Sequence, residues 1–277
     1  LCTAVEGLVA DRARAREIGS AARAHCVEQF GKDAVVDRVL AFYGQLLSPG
    51  VEVASREVSG TGGVDAQPKI SVVIPAYNAS AWVAEAIESV LAQTVPPYEI
   101  IAVDDGSTDD TRDVLAKYGD RVKVVTQQNQ GVAAARNHAA RVSSGDWIAY
   151  LDADDVWHPR KLELQTEAIR QRPDVGLLGT RAGDVHGVGT AVERVPSLAP
   201  LEWTQLAVKN HFTASSVIVR RELLDLVGGF DTELHGPEDY DLWLRVTEMA
   251  RSAVLDTELV GYREVPGSLG RRARSME

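Results

Sequence analysis

The stretch "ISVVIPAYNASAWVAEAIESVLAQTVPPYEIIAVDDGSTDDT", Ile70 to Thr111, decides the fold. Its short apolar run "ISVVIP" (Ile70 to Pro75) reads as a buried strand, a helical segment follows near Ala81 to Gln93, and "YEIIAV" (Tyr98 to Val103) reads as a second strand. The pattern then repeats. Apolar runs recur at "RVKVVT" (Arg121 to Thr126), "WIAYL" (Trp147 to Leu151) and "VGLLG" (Val175 to Gly179), with helical segments near Thr108 to Tyr118, Gly131 to Val142 and Pro159 to Gln171. Strands joined by crossover helices dictate an α/β fold, a mostly parallel central sheet with helices on both faces. In such sheets ligands bind beyond the carboxyl ends of the strands. "AYN" follows the first strand, "DDGS" the second and "DADD" the fourth, so these polar clusters should converge on one rim. No GxGxxG or GxxxxGK[ST] stands at a strand-to-helix turn, so neither a dinucleotide fingerprint nor a P-loop is present, and there is no internal repeat.

The flanks differ in character. Residues 1–47 are helical in pattern throughout, and Val36, Val39, Leu40, Tyr43, Leu46 and Leu47 form one apolar stripe that needs a partner. Residues 48–68, "SPGVEVASREVSGTGGVDAQP", are rich in Gly, Ser and Pro and read as a flexible linker, so a domain boundary falls there and 69–277 is expected to be a separate domain. The chain opens on Leu1 within a helical pattern, as a fragment would.

Composition narrows the function. Of 277 residues 45% are hydrophobic and 25% charged, enough for one sizeable core plus an appendage. With 40 acidic against 29 basic side chains, the net charge of -11 opposes broad contact with nucleic acid or anionic lipid. An anionic ligand then needs local help from a metal or an arginine. No apolar run approaches the ~18 residues of a membrane span. The first residues lack the order of a signal peptide, and the reading is a soluble, cytoplasmic protein, peripheral to a membrane only through its acceptor. Cys2 and Cys26 both lie near the start, so the rest has neither a disulfide framework nor a Cys-rich zinc site.

The "DADD" cluster poses the chemical question. In an extended segment residues two apart face the same way, so Asp152 and Asp154 project together, with Cβ atoms ~7 Å apart, while Asp155 points away. Mg²⁺ and Mn²⁺ favour oxygen ligands and retain waters and substrate phosphates, so two carboxylates make a reasonable sparse site. A calcium EF-hand loop would put Glu163 at its twelfth position, but Trp157 stands at the sixth, where the turn needs glycine. Simple capping of the helix after Pro159 is the plain alternative, above all for Asp155. A phosphohydrolase of the haloacid dehalogenase type is a sharper rival. "IAYLDADDV" fits its strand-end pattern, with Asp152 as nucleophile, Asp154 as acid/base and Thr180 at a later strand end. Against it stand three strand units ahead of the motif and the lack of a later apolar strand ending in paired acids.

From Lys69 to about Ser268 the chain resembles a family-2 glycosyltransferase of the GT-A fold. The matching stretches are "ISVVIPAYNASAWVAEAIESVLAQT", "IIAVDDGSTDDT", "NQGVAAARNHAARVSSGDWIAYLDADD", "SSVIVRRELLDLVGGFD" and "EDYDLWLR", in family order. The resemblance implies inverting hexosyl transfer from a nucleoside-diphosphate sugar, a UDP-sugar by preference, to an unknown saccharide, lipid-linked or protein acceptor. A divalent cation, Mg²⁺ or Mn²⁺, is the implied cofactor. The implied donor site comprises Pro75, Tyr77 against the base, Asp104 accepting from its ring NH, Asp105 with Gly106 shaping the turn, Arg136 near the phosphates, Asp152, Ala153 and Asp154. Asp152 and Asp154 are the implied metal carboxylates. Plainer roles stay open: Tyr77 closing a turn before Asn78, Arg136 as a surface residue, and "DDGST" as a turn followed by a Ser107 or Thr108 cap. A noncatalytic sugar-nucleotide-binding fragment also stays open.

"HGPEDYDLWLRVTEMA" supplies the acceptor side. Pro237 suits a first helical position, which puts Glu238 and Asp239 in the first turn. Tyr240, Leu242, Trp243, Leu244, Val246 and Met249 make the helix apolar nearly all round, hence largely buried. The resemblance assigns Asp239 as the general base, with Glu238 nearby. Gly228 and Gly229 read as a helix stop. His158, His211 and His235 have no i,i+4 partner and form no metal motif. In the family tail a histidine that can ligate the metal often stands where Val265 stands here. The basic run Arg271 to Arg274 reads as a solvated tail, with a phosphate contact as the alternative. Residues 1–47 are similar to the last helices of a family-4, GT-B-fold glycosyltransferase, the remnant of a second module; a docking or dimerising helical extension is the simpler reading.

Overall fold

A computed structural model of the chain describes residues 67–187, 197–234 and 236–264. The helical segment 1–47, the linker up to residue 66, His235, Val265 and the run Arg271 to Arg274 lie outside the described residues.

The parallel half forms where continuous apolar runs stand in the sequence. β1 (Ile70–Ala76) is buried along its whole length, as a strand covered on both faces must be. It is flanked by β2 (Glu99–Asp104) and β4 (Trp147–Tyr150), and β3 (Lys123–Thr126) lies outside β2, all in parallel. Helix α1 (Val83–Leu91) makes the first crossover and buries Val83, Ala86, Ile87 and Val90, a stripe at spacings of three and four. Each such side chain taken from water contributes roughly 1.5–3 kcal/mol for the larger aliphatics. The α2 helix (Thr111–Ala116) is shorter than the sequence pattern, and a 3-10 turn at Gly119–Arg121 leads into β3. α3 (Val132–Val142) and α4 (Lys161–Gln171) follow the expected segments closely.

The second half holds the strand announced by "VGLLG" and adds four that no apolar run announces. β5 (Val156–Trp157), β6 (Val175–Asp184), β7 (Leu198–Leu201), β8 (Ile218–Arg220) and β9 (Arg251–Tyr262) complete a sheet of order β3-β2-β1-β4-β8-β6-β9-β5, with β7 also on β9. β8 enters antiparallel between β4 and β6, whereas β6 and β9 run parallel over a long register. Most of the paired length is therefore parallel, with antiparallel additions at β5, β7 and β8. Three helices pack on this half: α5 (Trp203–Val208), α6 (Arg221–Val227) and α7 (Glu238–Met249).

Register decides what meets at the rim. Ala76 lies opposite Asp104, so the loops after β1 and β2 start level. Val73 pairs with Tyr150, which carries the "DADD" turn to the same edge. β9 pairs with β5 through Val260 and Gly261, and its end therefore arrives beside that turn too.

Several local expectations are corrected. Pro237 is the N-cap of α7 rather than its first residue, and Met249 is exposed at its end, so the helix is not apolar all round. Neither Ser107 nor Thr108 caps α2, which starts three residues beyond Thr108 after Asp110. Asp155 does not cap α4, whose N-cap is Arg160. Gly228 does stop α6, in the left-handed conformation at φ 82° that glycine adopts without steric cost.

Candidate active site

Asn78 joins the first two loops. At φ 49° it turns the chain after β1, its backbone N–H donates to Ser107 Oγ (3.0 Å), and its Oδ1 accepts from the Thr108 N–H (2.8 Å). This leaves Tyr77 with 51% of its surface exposed at the rim, free to lie against a planar ligand. Pro75 is buried within β1.

Asp104 is held differently from the expectation. It is fully buried, accepting from the Ser107 N–H at Oδ1 (3.0 Å) and from Arg112 Nε and Nη2 at Oδ2 (3.1 and 2.9 Å). The exposed guanidinium of Arg112 thus covers the carboxylate expected to meet a base. Asp105 is a structural acid: it accepts from Gln127 Nε2 (2.8 Å) and from the N–H groups of Gln130 (2.9 Å) and Gly131 (2.8 Å), fixing the start of α3. Gly106 is required directly after them, because at φ +74° an added Cβ would meet the Asn129 nitrogen at 2.8 Å.

In the third loop the four residues separate by role. Asp152 and Asp154 keep partial exposure, whereas Ala153 is buried in the core and Asp155 is 1% exposed. The segment is not extended as expected: the Asp155 N–H donates to the Asp152 carbonyl (3.1 Å) and closes a turn, and it is this turn that separates the four side chains. Asp155 accepts from Ser215 Oγ (2.5 Å) and from the Arg263 N–H (3.0 Å), and burial, reinforced by the charge of Asp152, pushes its pKa up to about 8. Asp152 accepts from Arg136 Nη2 at 2.6 Å. Among the described residues no side chain pairs with the Asp154 carboxylate, and burial followed by Asp152 raises its pKa to about 6.

On the acceptor side, Glu238 is buried and accepts from Arg136 Nη1 (3.0 Å) and the Gly236 N–H (2.8 Å). Asp241 is taken by Arg245, whose two nitrogens reach its Oδ2 at 2.7 and 2.9 Å. Between them Asp239 accepts, among the described residues, from the N–H of its neighbour Tyr240 (2.6 Å). Burial first and Glu238 second push its pKa up to about 7.

Arg136 joins the two sides. It is 3% exposed, not a surface residue, and its fork binds Asp152 with one nitrogen and Glu238 with the other while its plane lies 5.2 Å from the Phe230 ring centroid. Burial disfavours its charge, but the two carboxylates more than offset this and hold it protonated. Its Nε has no partner among the described residues. Asn137 next to it clamps Phe230, donating to its carbonyl and accepting from its N–H, both at 2.8 Å.

Arg112, Ser215, Asn137 and Arg263 were not foreseen as parts of this site. The pattern signals only their helix and strand positions, and their partners lie far along the chain. Among the described residues no group of three or more His, Cys, Asp or Glu is arranged to hold a metal. The donor set nonetheless fits a hard divalent cation: Asp154 has a free carboxylate beside Asp152, and waters and a diphosphate can supply the other oxygens. The phosphohydrolase arrangement does not form, since β8 separates β4 from β6 and Thr180 Oγ1 donates to the Arg181 carbonyl.

Solved structures place this architecture among GT-A glycosyltransferases. S. aureus TarS 1-349 in complex with UDP-GlcNAc matches with a TM-score of 0.62 at 24% identity, over 72% of this chain and 60% of that one. The mannosyltransferase PcManGT from Pyrobaculum calidifontis, in complex with GDP-Man and Mn²⁺, matches with a TM-score of 0.60 at 20% identity, over 93% of this chain and 72% of that one. The sequence model of glycosyl transferase family 2 matches residues 71–224, and the chain belongs to that family. It is similar to the putative glycosyltransferase EpsE of Bacillus subtilis, 32% identical over 214 residues that cover 74% of this chain and 77% of that protein. The chain spans between 27% and 35% of the length of three other curated relatives. Among the described residues no helix is long and apolar enough to cross a membrane.

Proposed function

We propose that this protein transfers a hexosyl group from a nucleoside-diphosphate sugar, a UDP-sugar by preference, to an acceptor hydroxyl on a saccharide, lipid-linked or protein partner, with inversion and with Mg²⁺ or Mn²⁺. The observation that carries the reading is the pairing of two acids left free of side-chain partners, Asp154 and Asp239, across one arginine that holds their neighbours Asp152 and Glu238. Tyr77 offers a face to the base, and Asp152 and Asp154 would hold the cation. When bound, the cation supplies positive charge to the departing diphosphate. Asp239 takes the proton of the acceptor hydroxyl, and its raised pKa suits a base that works near neutral pH. Displacement in one step by that hydroxyl inverts the anomeric carbon. TarS is described with UDP-GlcNAc and PcManGT with GDP-Man, which supports a sugar nucleotide and leaves the base to be tested.

The test is nucleoside-diphosphate release and product anomer analysis with UDP-, GDP- and dTDP-sugars, in Mn²⁺ or EDTA, over a panel of acceptors. Metal-dependent release of UDP with an inverted product is expected. A phosphoryl-enzyme trapped on Asp152, or a retained anomer, overturns the reading. We also infer that residues 69–277 are the catalytic domain: a chain lacking 1–68 should fold and bind nucleotide alone, and unfolding on that truncation would make the first segment part of the core.

A further inference from the structure

Arg263, just beyond β9, makes four kinds of contact at the edge of the site. Its N–H donates to Asp155 Oδ1 (3.0 Å), its Nε to the Asp154 carbonyl (2.9 Å) and its Nη2 to Glu85 Oε2 (2.5 Å), and its guanidinium stacks 4.6 Å from the Trp82 ring centroid. Nothing in the proposed chemistry uses these groups. Trp82 is the N-cap of α1 and Glu85 lies in its first turn, in the segment that follows β1 and Tyr77. Asp154 and Asp155 belong to the turn after β4. One residue therefore ties three segments that are distant in sequence. The backbone N–H at 263, which any residue there supplies, helps Ser215 hold Asp155 inward, while the side-chain Nε grips the Asp154 carbonyl inside the turn closed by the Asp155 N–H on the Asp152 carbonyl, so the guanidinium fixes the peptide that carries the partly exposed Asp154 carboxylate.

We propose that Arg263 is a positioning residue for the divalent cation, setting the outward presentation of the Asp154 carboxylate without touching the ion. The inference rests on the metal-dependent transferase reading above. Partners that orient a metal ligand typically change affinity when removed by about tenfold to a hundredfold. Lysine can replace one donor, but it cannot span from the Asp154 carbonyl to Glu85 or stack on Trp82 in the same way.

The experiment uses the full chain and the parent, Arg263→Ala, Arg263→Lys and Glu85→Gln variants. Calorimetry follows UDP binding across a Mn²⁺ titration and in EDTA, with thermal midpoints measured in parallel. Arg263→Ala is expected to raise the Mn²⁺ concentration for half-maximal binding about tenfold, with UDP affinity in EDTA changed less than about twofold; Arg263→Lys should lie between, and Glu85→Gln close to the parent. A lowered midpoint with an unchanged Mn²⁺ requirement makes Arg263 merely structural and overturns the proposal, as does an equal loss in EDTA. Should the alanine variant fail to fold, the lysine variant decides: an intermediate Mn²⁺ requirement supports the proposal, and the parent value overturns it. A parent whose UDP binding ignores Mn²⁺ sinks the metal-dependent reading itself, and the inference with it, a result separable from any variant effect.

Discussion

The turn after β4 and the start of α7 are both acidic mouths, yet they reach their free carboxylates by different means. In the turn, backbone closure sorts the acids: the Asp155 N–H bonds the Asp152 carbonyl, Asp155 goes inward to Ser215 and Arg263, and Asp152 and Asp154 stay partly exposed. On the helix, side-chain cations do the sorting: Glu238 goes to Arg136 and Asp241 to Arg245, which isolates Asp239 between them. The outcome differs electrostatically. Asp154 is raised to about 6 beside an acid already paired with arginine, and Asp239 to about 7 beside buried Glu238. A carboxylate raised that far suits proton acceptance; one less raised and more exposed suits a cation. Arg136 binds one acid of each mouth, Asp152 and Glu238, and neither Asp154 nor Asp239.

The largest effect should break the helix side of this contrast. Asp239→Asn keeps the shape but cannot take a proton, so turnover should fall by ~10² or more while UDP and Mn²⁺ affinities change little. Transfer to a working acceptor, with binding followed separately by calorimetry, measures it. Transfer near the parent rate would leave Asp239 as a helix-start acid only. Asp241→Asn is the control. It removes the charge opposite Arg245, whose Nη1 holds the Val227 carbonyl and whose Nη2 holds the Gly229 carbonyl as well as Asp241, so it should lower the thermal midpoint rather than turnover of the folded enzyme.

Next in size is the turn side. Asp154→Asn should weaken Mn²⁺-supported UDP binding by about tenfold or more and leave binding in EDTA nearly unchanged. An equal loss in both conditions would make Asp154 a nucleotide contact instead of a metal carboxylate.

A few-fold effect sharpens the electrostatic difference. Asp239 must be ionised to act as base, so transfer should rise as pH climbs through about 7. The charge of Glu238 raises that value, so Glu238→Gln favours the ionised form and moves the acid limb to lower pH. The variant-to-parent ratio of rates should therefore be largest on the acid side and fall as pH rises. A limb that stays in place would remove Glu238 as the cause.

How much of this the sequence shows depends on how each feature is built. β1, β2 and β4 are continuous buried runs, and the half-sheet they form is readable from periodicity and crossover logic alone. β9 is not, because "RSAVLDTELVGY" is interrupted by surface positions at Asp256 to Glu258, where its register with β6 shifts. β8 has only three residues, and β5 only two. The clustered carboxylates are equally visible, since like charges set close together need a reason. Their partners are hidden. Arg136 meets Glu238 across 102 positions and Arg263 meets Asp154 across 109, and no local pattern encodes such pairings. Asp104 shows the cost: its strand-end place was legible, but its cover by Arg112 was not.

The smallest expected effect tests the inward half of the turn. Asp155 is buried, and both of its oxygens are already engaged, one with Ser215 Oγ and one with the Arg263 N–H. Its raised pKa makes the protonated carboxyl the main form at neutral pH. Asparagine has nearly that shape and polarity: its carbonyl can accept from Arg263, and its amide can donate to Ser215 Oγ. Asp155→Asn should therefore change Mn²⁺-supported UDP binding by less than about twofold, within the scatter expected when a satisfied buried pair is replaced by another. Asp155→Ala leaves the Ser215 hydroxyl proton and the Arg263 N–H without an acceptor, although Ser215 Oγ still accepts from the Asp152 N–H, and should cost stability, roughly 1–3 kcal/mol, before it touches binding. Measuring both variants beside Asp154→Asn separates facing from mere proximity. If Asp155→Asn weakened Mn²⁺-dependent binding as much as Asp154→Asn does, the sorting of these acids by the turn and its inward partners would be wrong, and the turn would have to present all its carboxylates to the cation.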